Sequence, residues 1–513
     1  MILWGTEISR TEGIGVAEFM YLLGCKPVWA DNGKVLGVEQ IPLSELTVEL
    51  NNGSVVNRPR VDVFASMVTN NKDWITWMLT AVQLAADAPD EDETNNFVKK
   101  HYAENPTLDR LFGLPGNVLE GTGMSNLIPN TADWNISTVN EYAMDIYLNK
   151  VSYSWTLDEK GNIVINKQKD TYMYLLENVD VLTQNFDSSW RLFDSDDYYD
   201  WFGGALNAIN QLKKQAGKEP VDTMFFDIRN KNNIVVRSYM EEFEFEVRSM
   251  LLNPHYTNAL IGTPAGMNSY AEKVENLYGS LVLSGEHLNT QLGNQLAEHF
   301  MYISSTVNDA SLAPGSQSFL AWMIYMGQQD LWDADSSTLQ RLIDEYMRSV
   351  IKYGVACCHH TCKNLAFSDE IIQASSLTPA EKQKFAEILA QATNTEQLYT
   401  DESGGNSGNA NTLANGTSQE KSSGSNSGGQ TAIGEDPSQS GTAQTASDAQ
   451  SSSSSDAGAS GAQAYELSQK SASKSTISAE SSMPIFVIIA IIILIAIFLV
   501  GYVRKQDEYN DDY

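Results

Sequence analysis

Five nitrogen or sulfur donors fall within six residues: Cys357, Cys358, His359, His360 and Cys362. Imidazole and thiolate suit Co(II), Zn(II) or Ni(II), whereas Mg(II) prefers oxygen. On a helix Cys358 and Cys362 share a face at i, i+4, and His359 and Cys362 do so at i, i+3. The same residues also read as buried small hydrophobes or as a disulfide, Cys358 with Cys362 or with another loop.

A second group is acidic and aromatic. Asp194, Asp196 and Asp197 precede Tyr198 and Tyr199, just before Gly203-Gly204. Clustered carboxylates raise one another's pKa, so Asp196 or Asp197 can work as a base near neutrality. The tyrosine rings can flank a flat ligand. The plainer reading is a turn and a helix, with Asp as cap and Tyr in the core. His255, His287 and His299 have no motif around them and read as structural.

The elements that must position these groups are mixed. Ile14 to Leu23 has apolar residues at helical spacing and stops at Gly24. Lys26–Trp29 and Val35–Val38 read as strands around the turn Asp31-Asn-Gly33. Val61–Ala65 and Asp222–Phe226 are strand-like. Trp74–Leu84 and Tyr239–Leu252 are helix-like, the latter ending before Asn253-Pro254. Leu339 to Ile351 makes one apolar helical face. Thr378-Pro-Ala-Glu381 is a capping box opening a helix to about Ala392. The fold class is therefore α/β, mostly helical after about residue 230, with no internal repeat.

The chain has 513 residues and a net charge of −32. That charge excludes nucleic acid as a partner, because no basic face is available for phosphates. Hydrophobic content of 42% and ten Trp support real cores over residues 1–397, with a sub-boundary near 160–230. Residues 398–482 are Ser, Gly, Ala, Gln and Thr almost without aromatics, which predicts a disordered stalk. Residues 485–502 are an uncharged apolar run of roughly 28 Å as a helix, enough to cross a bilayer. They predict a single C-terminal transmembrane helix in contact with lipid, followed by a short acidic tail, 503–513. Arg504 and Lys505 behind it form a stop-transfer pattern that slightly favours an outward-facing body. The start of the chain lacks the basic and apolar segments of a signal peptide.

Several stretches, in order, resemble a known family. They are Arg10-Thr-Glu-Gly13, a helix ending Tyr21-Leu-Leu-Gly24, Lys26-Pro-Val-Trp29, Arg58-Pro-Arg-Val-Asp-Val63 and Asn96-Phe-Val-Lys-Lys-His101. Tyr147-Leu-Asn149, Asp196-Asp-Tyr-Tyr199 with Gly203-Gly204, Glu241–Arg248 with Leu252-Asn-Pro254, and Cys357–Asn364 continue the series. Together they resemble the C-terminal third of the large subunits of cobaltochelatase (CobN) and magnesium chelatase.

The resemblance implies insertion of a divalent metal (cobalt, or magnesium, nickel or zinc) into a tetrapyrrole, as in cobalamin-type biosynthesis. It implies ATP hydrolysis in separate AAA+ subunits, and this chain has no G-x-x-x-x-G-K-[ST] sequence of its own. It adds Arg10, Glu12 and His101 as site residues, with Arg10 pairing with tetrapyrrole propionates. A non-catalytic, surface-anchored binder of metal or tetrapyrrole, or a fragment of a longer chelatase-like protein, is the alternative reading.

Overall fold

Ile2–Trp4 is only three residues long, yet it lies inside an eight-stranded sheet. The computed structural model describes residues 1–400 apart from 51–52, 69–70, 90–91, 117–120, 231 and 359. The expected stalk beyond 400, the transmembrane helix 485–502 and the acidic tail lie outside the described residues. Among the described residues no helix is long and apolar enough to cross a membrane.

The sheet strands are β1 (Ile2–Trp4), β2 (Ala65–Val68), β3 (Leu111–Gly113), β4 (Tyr153–Leu157), β5 (Ile163–Lys167), β6 (Val181–Phe186), β7 (Asp222–Asp227) and β8 (Val235–Arg237). Their order is β8-β7-β6-β1-β2-β3-β4-β5. The five central strands β7, β6, β1, β2 and β3 are parallel, with antiparallel strands at both edges. Parallel strands need crossover connections, and helices supply them on both faces. Ile2 points into one core, with helices Ile136–Val151, Lys169–Glu177 and Gly204–Gln215. Leu3 points into the other, with Ile14–Leu22 and Lys72–Ala86.

Among the described residues after β8 the regular elements are helices, as expected. Pro264–Ser284, Thr290–Thr306, Ala313–Gln328 and Ser336–Tyr353 form a bundle around Ala313–Gln328, whose side chains are buried on every face up to Met326. A helix apolar all round belongs in an interior. Pro264–Ser284 joins the bundle to the sheet layer through Gly279, where a Cβ would stand 3.0 Å from the Tyr199 ring.

Other expectations resolve cleanly. The hairpin forms as Cys25–Trp29 with Val35–Gln40, and Gly33 takes φ +80° at its turn. The Thr378 capping box forms, with Glu381 N donating to Thr378 Oγ1 at 3.3 Å and Thr378 N to Glu381 Oε2 at 2.9 Å. Val61–Phe64, expected as strand, is not one; β2 begins at Ala65. The backbone N–H of Val61 bonds Leu22 O instead, and Asp62 is held by Arg110 and His101. The Tyr239 helix changes at Glu246 into a π-turn, Val247–Leu251.

Candidate functional site

The strand order reverses at β1: the chain proceeds outward through β2 and β3, then returns to β1's other side with β6. In open parallel sheets such a reversal leaves a crevice outside the strands' C-terminal ends. Here β1 runs into the short helix Gly5–Arg10, and β6 into a loop from Asp187 to Tyr198. Arg10 Nε and Nη2 donate to Asp187 Oδ2 and Oδ1 at 2.6 and 2.9 Å, tying the two together.

The loop is fixed from below and from the side. Glu246 accepts the backbone N–H groups of Leu192 and Phe193 at 2.9 and 3.2 Å. Asn276 Nδ2 donates to Phe193 O at 2.9 Å, and Lys273 pairs with Asp194 at 2.8 Å. Both come from Pro264–Ser284, which thereby sets two of its own acids, Glu272 and Glu275, within the field of the loop acid Asp196, itself next to Asp197.

These four carboxyls share one electrostatic fate. Burial, then the neighbouring Asp200, raises the pKa of Asp196. Burial and Asp196 raise that of Asp197, whose side chain still reaches solvent. Burial raises Glu272, against Lys273. Burial, then Glu272 and Asp196, pushes half-buried Glu275 up to about 8. Like charges crowded in a poorly solvated site cannot all ionise. Glu275 therefore keeps its proton past neutral pH, and its neighbours hold theirs to higher pH than free carboxyls do, which moves proton exchange toward the range a general base needs.

Asp196 and Asp197 lie within each other's field, and Tyr198 follows them along the chain. The Tyr198 ring is half-buried against Phe186 and Trp4, with centroids at 5.4 and 6.3 Å. Its hydroxyl donates to Trp190 O at 3.4 Å. Trp190, 51% exposed on the same loop, carries no motif that marks it in the sequence. Tyr199 is a correction. Only 1% exposed, it packs on Gly279 and cannot flank a ligand. Gly203 and Gly204 are packing residues too, since a Cβ on Gly204 would stand 2.7 Å from the Tyr147 ring.

Arg10 lies at the crevice with its guanidinium bound to Asp187. Glu12 is exposed at φ +62°, where the chain turns from Gly5–Arg10 into Ile14–Leu22. His101 is at the opposite ends of the strands. Its Nδ1 lies 2.8 Å from Asp62 Oδ2, and Arg110 holds the same carboxylate at 2.8 and 3.0 Å. Asp62 precedes β2 and Arg110 precedes β3, so this trio sits at the N-terminal ends of the strands, away from the crevice.

The cysteine segment is a loop between Ser336–Tyr353 and Leu365–Ala374, not a helix. Cys357 and Cys362 are bonded to each other, so neither offers a thiolate to a metal. Burial pushes the Cys358 thiol up to about 12, which keeps it protonated. His360 is buried and stacks on Trp322, its Nε2 3.3 Å from Ser318 Oγ. His359 lies outside the described residues. Among the described residues no three His, Cys, Asp or Glu side chains are grouped to hold a metal ion. The five-ligand expectation fails because spacing cannot distinguish a thiolate from a disulfide sulfur.

Behind the loop lies a second group that residue spacing does not reveal. Asn185 Nδ2 donates to Glu18 Oε2 at 3.1 Å and to Glu7 Oε1 at 3.5 Å. Burial pushes Glu7 up to about 8 and Glu18 up to about 7. The one signal in the sequence is the polar run Thr183-Gln184-Asn185, which is buried in a central strand where apolar residues are the rule.

A sequence profile described as CobN/Magnesium Chelatase matches residues 1–339. The chain belongs to the CobN/magnesium chelatase family. The chloroplastic magnesium-chelatase subunit ChlH of Oryza sativa subsp. indica is 26% identical over 301 residues, covering 56% of this chain and 20% of that protein. The aerobic cobaltochelatase subunit CobN of Pseudomonas aeruginosa is 27% identical over 276 residues, covering 50% and 20%. The catalytic subunit of cobaltochelatase from Mycobacterium tuberculosis has the same fold, with TM-score 0.58 at 21% identity, over 68% of this chain and 29% of that one. The chain spans under a third of the length of these relatives. The CobN/magnesium chelatase match includes the whole acidic crevice, from Arg10 to Glu275, and Trp322. The cysteine loop lies beyond it.

Proposed function

We propose that this chain binds a tetrapyrrole in the crevice beyond β1 and β6 and takes up the protons that a divalent metal displaces from it. Metal entry releases two protons from the pyrrole nitrogens, so the site needs acceptors near neutral pH. Asp196, Asp197, Glu272 and Glu275 meet that need: four crowded carboxyls, each with raised proton affinity. That grouping is the observation that carries the reading. Trp190 and Tyr198 offer aromatic surface to a flat macrocycle, and Arg10 lies where a ring carboxylate can compete with Asp187.

The metal, cobalt or magnesium by family and nickel or zinc by the same chemistry, is a substrate here. ATP hydrolysis is assigned to separate AAA+ subunits. The apolar run 485–502 is read as a membrane anchor on sequence grounds. Arg504 and Lys505 favour an outward-facing body, which ATP-driven partners cannot reach. In that orientation the chain is a surface-anchored tetrapyrrole binder.

Titration of the full chain with deuteroporphyrin IX, followed by tryptophan quenching, tests the reading. Saturable binding is expected, weakened about tenfold by Tyr198→Ala, on the order of one lost aromatic stacking contact. Tyr302→Ala, on the exposed side of Thr290–Thr306, leaves it unchanged. Absence of saturable quenching overturns the proposal.

A further inference from the structure

The cysteine loop brings no metal ligand to the crevice, yet it is built against the crevice wall. Its two ends are pinned. Gln317 Nε2 donates to Gly354 O at 2.8 Å, and Gln317 Oε1 accepts from Ala356 N at 2.8 Å. At the far end Asn364 Nδ2 donates to Thr131 Oγ1 at 3.1 Å. The Cys357–Cys362 bond staples the residues between these pins.

Inside the staple, Thr361 Oγ1 donates to Ala356 O at 2.8 Å and accepts from Cys358 N at 3.1 Å. The Cys358 sulfur lies 3.1 Å from His360 Nδ1. His360 is thereby pressed onto Trp322, with centroids 3.8 Å apart and planes 15° apart. Gln317, Ser318 and Trp322 all belong to Ala313–Gln328, so one helix holds both the loop and the ring. Among the described residues Trp322 Nε1 is buried with no hydrogen-bond partner, and the Trp322 ring stacks at 4.7 Å on Tyr278, which lies one turn from Glu275 on Pro264–Ser284. The path from disulfide to crevice acid is Cys357–Cys362, His360, Trp322, Tyr278 and the helix turn that carries Glu275.

We infer that Cys357 and Cys362 form a thiol-redox site, opened by dithiol exchange, whose state sets how firmly the Trp322 wall is held beside the crevice acids. Cys357 is partly accessible while Cys362 is buried. A dithiol reductant therefore attacks Cys357 Sγ, and Cys362 leaves as the thiol. The reductant's second sulfur then attacks the mixed disulfide and releases Cys357. The protein bond gains two electrons and two protons, and the dithiol becomes a disulfide. Without the staple the loop is held only by its end pins and the Thr361 bonds, and His360 can swing away from Trp322. The consequence for ligand binding rests on the tetrapyrrole reading above; the redox chemistry does not.

The test uses the full chain prepared without reductant. Iodoacetamide labelling read by mass spectrometry is expected to spare Cys357 and Cys362 before dithiothreitol and to modify both after it. Amide exchange over 355–364 is expected to rise at least tenfold on reduction. The Cys357→Ser/Cys362→Ser double variant should show the fast rate with or without dithiothreitol. Labelling of both cysteines before reduction, or equal exchange in the two states, overturns the redox site. Deuteroporphyrin IX affinity is expected to fall about fivefold on reduction, and equal affinity overturns the coupling to the crevice. If the chain binds no porphyrin in either state, the tetrapyrrole reading fails, while labelling and exchange still decide the redox site.

Discussion

Arg10 and Asp187 join the two halves of the sheet. Their bidentate pair links the helix after β1 to the loop after β6, across the place where the strand order reverses. Arg10 is 49% exposed and Asp187 only 7%. The pair therefore contributes little to global stability and more to holding the crevice loop. Arg10→Ala should lower the urea unfolding free energy by about 1 kcal/mol or less. Arg10→Lys should not restore it, because an ammonium cannot make the forked contact. A loss above roughly 3 kcal/mol would show that the pair is part of the folding core.

The Glu7–Asn185–Glu18 group predicts a pH dependence. Both carboxyls have folded pKa values above the ordinary carboxylate range, so the native state keeps protons that the unfolded chain gives up. Their contribution is full below about pH 4.5 and is lost as pH rises through 7 and 8. Glu7→Gln stays neutral throughout. Relative to the native chain, it should gain stability steadily between about pH 5.5 and about pH 8.5. Melting curves across that range check this, and a constant offset would contradict it.

Asp200 organises the backbone beneath the crevice. It is buried and accepts the N–H of Thr122 and, at 2.8 Å, that of Ser125. Asp200→Asn replaces an acceptor oxygen with a donor facing these groups. It should cost about 2–3 kcal/mol in chemical unfolding. It should also lower the pKa of Asp196, whose neighbouring charge it removes.

Gly204 is fixed by contact. Its backbone is an ordinary helix, so Ala fits the conformation but not the space beside Tyr147. Gly204→Ala should destabilise by about 1–3 kcal/mol through overpacking. A stabilising effect, as helix propensity alone would give, would show that the Tyr147 ring yields easily.

Helices with a long apolar period were legible in the sequence, as were the Asp31-Asn-Gly33 hairpin and the Thr378 cap. Each is specified by its own residues. β1 and β6 were not. Ile2–Trp4 is too short to show a period, and Thr183-Gln184-Asn185 interrupts the apolar run that would mark a buried central strand. The site divides in the same way. Asp196, Asp197 and Tyr198 stand together in sequence, so a local pattern shows them. Glu272 and Glu275 join them from a helix far along the chain, which spacing cannot reveal. Tyr199, adjacent to Tyr198, turns inward because the π-turn Tyr199–Gly203 directs it at Gly279. The cysteines were legible as a ligand set or as a disulfide, but not the pairing: Cys362 bonds Cys357 rather than Cys358.

The central claim is where the macrocycle binds. A crystal structure of the chain with deuteroporphyrin IX tests it directly. The ring is predicted beside Trp190 and Tyr198, with its pyrrole nitrogens facing Asp196 and Glu275 within reach of one hydrogen bond or one bridging water. A porphyrin seated elsewhere, with this crevice unchanged, would contradict the account.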